Sequence, residues 1–236
     1  METVKFLVEA GAAINLREKS GHSALSAAAL SNHISVVFFL IDKGADKKVT
    51  TNGGKTLLHL TATNGSLPLV KYLVTKNIVD VNVKIITGRT PLHDATSNNQ
   101  LQVAEFLLNH GANIECKNID GYTPFYIAAG SGLLEMAELL IRYGASIINE
   151  SSKPGDSPFC RAITEGKSEM VEFLINQGIH VNDVRLIRNL TPLHLACNLG
   201  KLAVVECLVN HGADVNATVD GKKLLCIMLL LMDIFL

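Results

Sequence analysis

Histidine is the residue type in this chain whose recurrence could point to a chemical site. His59, His93 and His194 end the stretches TLLH, TPLH and TPLH. An imidazole can bind zinc, act as a general base or form structural hydrogen bonds. A shared zinc ion needs ligand atoms about 2 Å away, whereas these histidines fall in separate units of an internal repeat. Neighbouring packed units are expected to lie roughly 10 Å apart, so the spacing favours structural histidines.

Two other patterns suggest chemistry and have simpler explanations. GGKT, residues 53–56, is similar to part of a phosphate-binding loop, but the glycine required five positions before Gly54 is replaced by Val49. A turn before a helix N-cap explains this stretch better. His93 and Asp94 are adjacent, so a helix would point their side chains in different directions. We predict no catalytic, cofactor-binding or metal site, and no enzyme activity.

The composition limits the class of partner. Lysine and arginine total 21 against 22 acidic residues, so no net field attracts nucleic acid or anionic lipid. Aromatic residues make up only 5% of a chain that is 48% hydrophobic, which predicts a core of Leu, Val, Ile and Ala. The five cysteines form no CxxC pair. Reduced, packed thiols in a cytoplasmic or nuclear protein are the favoured interpretation.

An internal repeat organises the chain. Thr-Pro-Leu-His or a variant recurs at steps of 33 or 34 residues, starting at Ser23, Thr56, Thr90, Thr123, Ser157 and Thr191. A leucine series keeps the same step, at Leu7, Leu40, Leu73, Leu107, Leu140, Leu174 and Leu208. A period of this length indicates stacked helical units, each unable to bury its apolar face alone.

Each part of the unit has a physical reason. Threonine or serine caps a first helix through its hydroxyl, and proline fits the first helical position. A short first helix such as PLHLACNLG, residues 192–200, is followed by a turn and a second helix such as LAVVECLVNH, residues 202–211. Gly212 ends that helix, and ADVNATVDG, residues 213–221, then predicts an extended hairpin.

At these residues the sequence resembles the ankyrin repeat family. The stretches DGYTPFYIAAGSGLLEMAELLIRYGASI and NLTPLHLACNLGKLAVVECLVNHGADVN come close to that family's pattern. The resemblance covers residues 1 to about 222, with six repeats over 20–219 that start near residues 20, 53, 87, 120, 154 and 188. It implies an all-α solenoid of stacked helix-turn-helix units joined by β-hairpin loops.

The resemblance also assigns roles to residues. In the family, the motif histidine bonds the threonine hydroxyl and neighbouring backbone, which implies structural roles for Thr56, His59, Thr90, His93, Thr123, Thr191 and His194. Departures occur at Ser26, Tyr126 and Cys160, which stand at histidine positions. Repeat two has an insertion in TKNIVDVN and lacks the turn glycine. We expect these departures to loosen local packing without changing the architecture.

Both ends depart from the repeat. Residues 1–19 read as the second helix and hairpin of a partial repeat, which suggests a segment of a longer array and would leave Val4, Leu7 and Val8 partly uncovered.

At the other end, residues 220–236 read as the start of a further repeat. From about residue 224 they are strongly apolar, yet too short for a membrane span and interrupted by Asp233. When the tail is back-translated with suitably chosen synonymous codons, adding one adenine to the lysine codons yields KKTPLHYAAANG, so we interpret this tail as an out-of-frame reading.

The remaining function is binding. In the family, hairpin tips and first helices bind proteins, and apolar, tyrosine and arginine side chains there suit an interface. The predicted binding residues are Arg89, Tyr122, Ile127, Arg161 and Arg188; some of them could instead simply cover the hairpin stack. We predict a monomeric, non-enzymatic scaffold with a protein partner, no nucleic acid and no membrane span. The alternatives are the repeat region of a secreted toxin resembling the spider latrotoxins, or the targeting arm of a larger enzyme.

Overall fold

The computed structural model describes residues 1–148, 157–182, 190–219 and 222–223. Thirteen helices lie in these ranges: α1 (Glu2–Glu9), α2 (Ala24–Leu30), α3 (Ile34–Asp42), α4 (Leu57–Asn64), α5 (Leu67–Thr75), α6 (Pro91–Ser97), α7 (Leu101–Asn109), α8 (Pro124–Ser131), α9 (Leu134–Arg142), α10 (Pro158–Thr164), α11 (Ser168–Asn176), α12 (Pro192–Asn198) and α13 (Leu202–Asn210). Strand β1 (Thr218–Val219) pairs antiparallel with β2 (Lys222–Lys223). The predicted all-α class is confirmed. Arg188 and the segment from about residue 224, predicted to be out of frame, lie outside the described residues.

First helices begin where the sequence provides a hydroxyl. Ser23, Thr56, Thr90 and Thr191 form capping boxes, in which the cap side chain and the side chain three residues later exchange hydrogen bonds with each other's backbone. In repeat one, where serine replaces the usual histidine, Ser26 Oγ accepts a hydrogen bond from Ser23 N–H at 2.8 Å. The serine therefore preserves the cap without reaching the next unit.

Second helices end at residues with left-handed backbone. Gly44, Gly111, Gly144 and Gly212 follow these helices with φ between 81° and 91°. Repeat two lacks this glycine, and Asn77 takes its place at φ 51°. Asparagine tolerates this conformation better than other non-glycine residues do. The turn is therefore kept, and α5 ends as its counterparts do.

The chain divides into two compact units, Met1–Pro124 and Phe125–Leu236. In the first unit, α2 packs on its own second helix α3 and on the next first helix α4, and α4 packs likewise on α5 and α6. The second helices α5 and α7 are also in contact. Leu58, Val70 and Leu107 are fully buried between them, and each such side chain contributes about 1.5 to 3 kcal/mol through burial.

Hairpins join the repeats of the first unit in a regular way. The same backbone hydrogen bond closes all four, from the N–H of Glu18, Thr51, Ile85 and Asn118 to the carbonyl of His22, Lys55, Arg89 and Tyr122. Successive tips are also bonded: Ile86 N–H donates to the Gly53 carbonyl at 3.4 Å, and Ile119 N–H to the Thr87 carbonyl at 3.0 Å. The tips of adjacent repeats are therefore neighbours in space.

The second unit repeats the same packing. First helices α10 and α12 are in contact, and each packs on its own second helix, α11 or α13. The second helices α9, α11 and α13 also contact one another in sequence order. Phe125, Phe159 and Leu174 are among its fully buried side chains.

The first helix of the chain is less covered than the others: α1 has no buried residue, and Leu7 is 50% exposed.

Candidate functional site

The motif histidines link one repeat to the next within the first unit. His93 Nδ1 lies 3.1 Å from the Thr90 amide nitrogen and 2.8 Å from Thr90 Oγ1. Its Nε2 lies 3.0 Å from the Tyr122 carbonyl oxygen, which can only accept, so Nε2 carries the proton. His59 makes the equivalent bonds to Thr56 and to the Arg89 carbonyl. Both rings are fully buried, so they hold helix starts and hairpins together.

Burial keeps these rings neutral. It is the main reason that the pKa of His93 falls from 6.5 to about 4. Burial likewise lowers the pKa of His59, although the nearby Asp94 carboxylate and the bond to the Arg89 carbonyl oppose it. In the second unit, burial lowers the pKa of His194, whose Nδ1 lies 2.8 Å from Thr191 Oγ1. Thr123 is also buried, at the start of α8. A neutral, fully bonded imidazole supports the fold and has no free nitrogen for acid–base work.

Metal binding finds no support in the described part of the chain. No group of three or more His, Cys, Asp or Glu side chains there is arranged to hold an ion. Cys116, Cys160 and Cys197 are buried, and Cys207 is partly buried. Burial raises the pKa of the Cys207 thiol, which makes its thiolate, and hence nucleophilic chemistry, less accessible. These cysteines pack against their neighbours.

Arg89 occupies a polar cluster on the first helix that follows it. Its Nε donates to Asp94 Oδ1 at 3.0 Å, and one terminal nitrogen lies 2.9 Å from the same oxygen. That nitrogen also donates to the His93 carbonyl at 3.1 Å and to Ser97 Oγ at 2.7 Å. The side chain remains 26% exposed. Part of the guanidinium is thus held in place, and part faces solvent.

Asp94, next to the motif histidine on a first helix, is buried to 3% exposure. Its carboxylate is tied to Arg89, five residues earlier. A charge pair formed by a hairpin residue and a helix residue depends on how the hairpin folds back, which residue spacing alone does not show. Asp94 is therefore a structural anion rather than a surface contact.

Hairpin tips carry the most exposed apolar residues near the predicted site. Ile86 and Ile119 occupy the same repeat position, 33 residues apart, and are 73% and 70% exposed. Tyr122, at the base of the second of these hairpins, is half-buried, and its carbonyl accepts the His93 hydrogen bond. Tyr122 and the Ile86 and Ile119 tips thus belong to consecutive hairpins of the first unit.

In the second unit, the predicted residues Ile127 and Arg161 are both half-buried. The Arg161 guanidinium lies 5.8 Å from the centre of the Tyr126 ring and pairs with Glu165 at 3.0 Å. Its stem also packs close to the backbone of Gly130. Tyr126 stands at the motif histidine position and is buried, and its ring makes a cation–π contact with Arg161.

No described segment could span a bilayer, because the longest helices have nine residues. This holds for the ranges given above.

Comparisons with known proteins agree with the repeat. A family model for ankyrin repeats in three copies matches residues 1–51, 45–118 and 111–185, and a single ankyrin repeat model matches residues 188–220. An ankyrin repeat protein of Rickettsia felis is 32% identical over 117 residues, 48% of this chain and 38% of that protein. Alpha-latrocrustotoxin-Lt1a of Latrodectus tredecimguttatus is 32% identical over 115 residues, which cover 8% of it.

A third relative is the B-cell lymphoma 3 protein homolog of Mus musculus, 32% identical over 117 residues, 48% of this chain and 26% of that protein. In each of these relatives the match spans well under half of the protein's length. The match to the toxin covers too little of it to suggest a shared activity. Ankyrin repeats are in general protein–protein interaction modules, and the family is generally non-catalytic. The family models match most of the chain, and the chain belongs to the ankyrin repeat family.

Proposed function

We propose that this chain is a non-enzymatic protein-interaction scaffold that binds a partner protein with its hairpins and first helices. The observation that carries this proposal is the exposure of Ile86 and Ile119 at equivalent tips. An isoleucine that is about 70% exposed contributes little to the stability of the fold, because most of its apolar surface stays in water, where it costs free energy. Two exposed isoleucines at equivalent repeat positions favour a contact with another molecule.

The division of labour within each repeat supports the same proposal. Residues that hold the fold, such as Thr90, His93 and Leu107, are almost completely buried. Residues one or two positions away along the hairpin, such as Arg89 and Tyr122, keep part of their surface in solvent. The exposed hairpin tips can therefore vary in sequence without disturbing the stack. A scaffold of this kind separates stability from recognition.

We assign the contacts as follows. In the first unit, Arg89 offers the exposed part of its guanidinium, and Tyr122 offers an aromatic ring at the hairpin base. In the second unit, Ile127 offers apolar surface and Arg161 a partly exposed cation. Tyrosine and arginine are over-represented among residues that dominate binding energies. Arg188, which lies outside the described residues, stays a prediction from sequence. We further propose a cytoplasmic or nuclear, monomeric scaffold built from the six repeats that start near residues 20, 53, 87, 120, 154 and 188.

Affinity capture with matched variants tests this proposal. The parent chain, a face variant (Ile86→Ser, Ile119→Ser, Arg161→Ala) and a control variant (Lys71→Ala, Gln102→Ala, Glu138→Ala) are compared by quantitative mass spectrometry of captured proteins. The control residues are exposed and lie on the second helices α5, α7 and α9. We expect the face variant to lose most specific partners and the control to keep them. If the face variant captures the same set as the parent, binding is placed on the wrong surface. Circular dichroism confirms that all three are folded.

A further inference from the structure

Charge is unevenly distributed in the first unit, although the whole chain is close to neutral. The four hairpins, residues 17–22, 50–55, 84–89 and 117–122, contain six cations and two acids. The cations are Arg17, Lys19, Lys55, Lys84, Arg89 and Lys117, and the acids are Glu18 and Asp120. We call these four hairpins the basic hairpin face. Elsewhere in residues 1–124 acids outnumber cations, eight to six.

Most of these cations are not neutralised by neighbours. Arg89 pairs with Asp94. Within residues 1–148, no carboxylate lies within 4.0 Å of the ammonium groups of Lys55, Lys84 or Lys117. These positive charges also act on the buried histidines. Burial is the main reason for the low pKa of His93, and the charges of Arg89 and Lys84 lower it further. The charges of Lys55 and Arg89 lower the pKa of His59 in the same way. The cations at the hairpin bases therefore lie close to the first helices.

Apolar and basic side chains alternate on this face. Ile86 lies two residues after Lys84, and Ile119 lies two residues after Lys117. The two hairpins are held together by the bond from Ile119 N–H to the Thr87 carbonyl. They also pack closely at Gly88, where an added Cβ would lie 3.2 Å from the Asn118 Cα. Two lysines and two isoleucines from neighbouring repeats thus lie on hairpins that are in contact.

We propose that the basic hairpin face of Met1–Pro124 binds an extended, acidic protein segment whose apolar side chains cover Ile86 and Ile119. This inference rests on the proposed function and names its partner chemistry. Carboxylates complement Lys55, Lys84 and Lys117. Apolar side chains between them remove the two isoleucines from water. An extended segment can reach both the hairpin tips and their bases.

Other occupants fit these observations less well. A second copy of the chain would bring the same basic face opposite itself, and like charges in an interface oppose association. A flat bilayer would meet the tips but not Lys55 and Arg89, whose charges act on buried histidines near the helix starts. A nucleic acid backbone would satisfy the lysines but would leave Ile86 and Ile119 against phosphates. The acidic, partly apolar segment satisfies both kinds of residue.

Selection from a phage-displayed library of random 12-residue peptides tests the inference on the full chain. We expect enriched peptides to contain more Asp and Glu than Lys and Arg, together with at least one large apolar residue. Synthesised with a fluorescent label, such a peptide should bind about tenfold more weakly when salt rises from about 0.05 to 0.5 M, because salt screens exposed charges. Failure to enrich any peptide, or enrichment of neutral or basic peptides, overturns the inference.

Matched variants locate the binding. Lys84→Glu with Lys117→Glu should weaken peptide binding by about tenfold or more, whereas Lys48→Glu with Lys76→Glu, an equal change in net charge at exposed positions elsewhere, should change it by less than about twofold. Ile86→Ser with Ile119→Ser should weaken it by about fivefold to tenfold. Phe6→Ser, at a side chain of similar exposure on α1, is the apolar control. Equal losses in test and control variants would overturn the assignment.

The outcomes also separate this inference from the proposed function. Non-acidic peptides that still require Ile86 and Ile119 would refute the acidic partner and leave the scaffold proposal standing. Phosphatidylserine vesicles or a 20-nucleotide single-stranded RNA that bind more tightly than the peptide, and are lost on Lys84→Glu with Lys117→Glu, would overturn the inference in favour of those partners. The scaffold proposal itself fails only if the capture experiment shows no dependence on the hairpin face.

Discussion

Acid should destabilise the first unit through His93, and the size of the effect follows from its burial. Its pKa in the folded chain is about 4, against 6.5 in a solvated histidine, chiefly because burial disfavours the charged ring. Between these two values the unfolded chain binds the proton more readily than the folded chain does. The stabilisation due to neutral His93 is therefore complete above about pH 6.5 and is lost progressively as the pH falls toward 4.

The magnitude comes from the same two values. Each pKa unit corresponds to about 1.4 kcal/mol, so a fall from pH 7.5 to 4.5 should remove about 2 to 3 kcal/mol of the free energy of unfolding through His93. Other groups also titrate in this range. The variant His93→Gln isolates the histidine, since the difference in stability between the parent and this variant cancels the shared terms.

Urea unfolding followed by circular dichroism at several pH values measures this difference. We expect the parent to be clearly more stable than His93→Gln at pH 7.5, and the gap to shrink by about 2 to 3 kcal/mol at pH 4.5. His33→Gln, at an exposed position, controls for the loss of a histidine as such and should show no comparable change. A gap between parent and His93→Gln that stays constant with pH would refute the reasoning that His93 is buried and neutral.

Three further substitutions have predictable costs in urea unfolding. Arg89→Met leaves the buried Asp94 carboxylate without its cation and should cost about 3 kcal/mol; adding Asp94→Leu should recover part of that loss, and no recovery would argue against the pair. Phe125→Ala empties a fully buried ring site and should cost about 3 to 5 kcal/mol, whereas Phe6→Ala, at 70% exposure, should be close to neutral. Gly144→Ala, at φ 91° with nothing within 4 Å of the added Cβ, should cost about 1 kcal/mol from backbone strain alone; a neutral result would contradict the left-handed turn.

Much of the fold could be predicted because the residues that are buried in each repeat recur in the sequence at a fixed spacing. The leucine series is a clear case: Leu40, Leu73, Leu107, Leu140, Leu174 and Leu208 are all at most 2% exposed. Leu7 belongs to the same series and is 50% exposed, because no preceding first helix lies against it in the structure. Periodicity thus identifies the face that can be buried, while the neighbouring repeat determines whether it is.

Other features depended on geometry that residue types do not reveal. The burial of Asp94 results from the way Arg89 folds back over α6, and serine at position 26 keeps a cap that the missing histidine had put in question. Asn77 adopts the left-handed turn that a glycine usually provides. The basic hairpin face was hidden by a neutral net charge, and only the alignment of the hairpins brings Lys84 and Lys117 together. A count of charges per hairpin, rather than per chain, could have found it.

Hydrogen–deuterium exchange of the full chain, free and bound to a selected acidic peptide, shows whether the hairpins provide recognition while the stacked helices provide stability. We expect binding to slow exchange at residues 84–89 and 117–122 and to leave exchange in the second helices α5 and α7 unchanged. Protection confined to α5 and α7, with the two hairpins exchanging as in the free chain, would contradict this expectation.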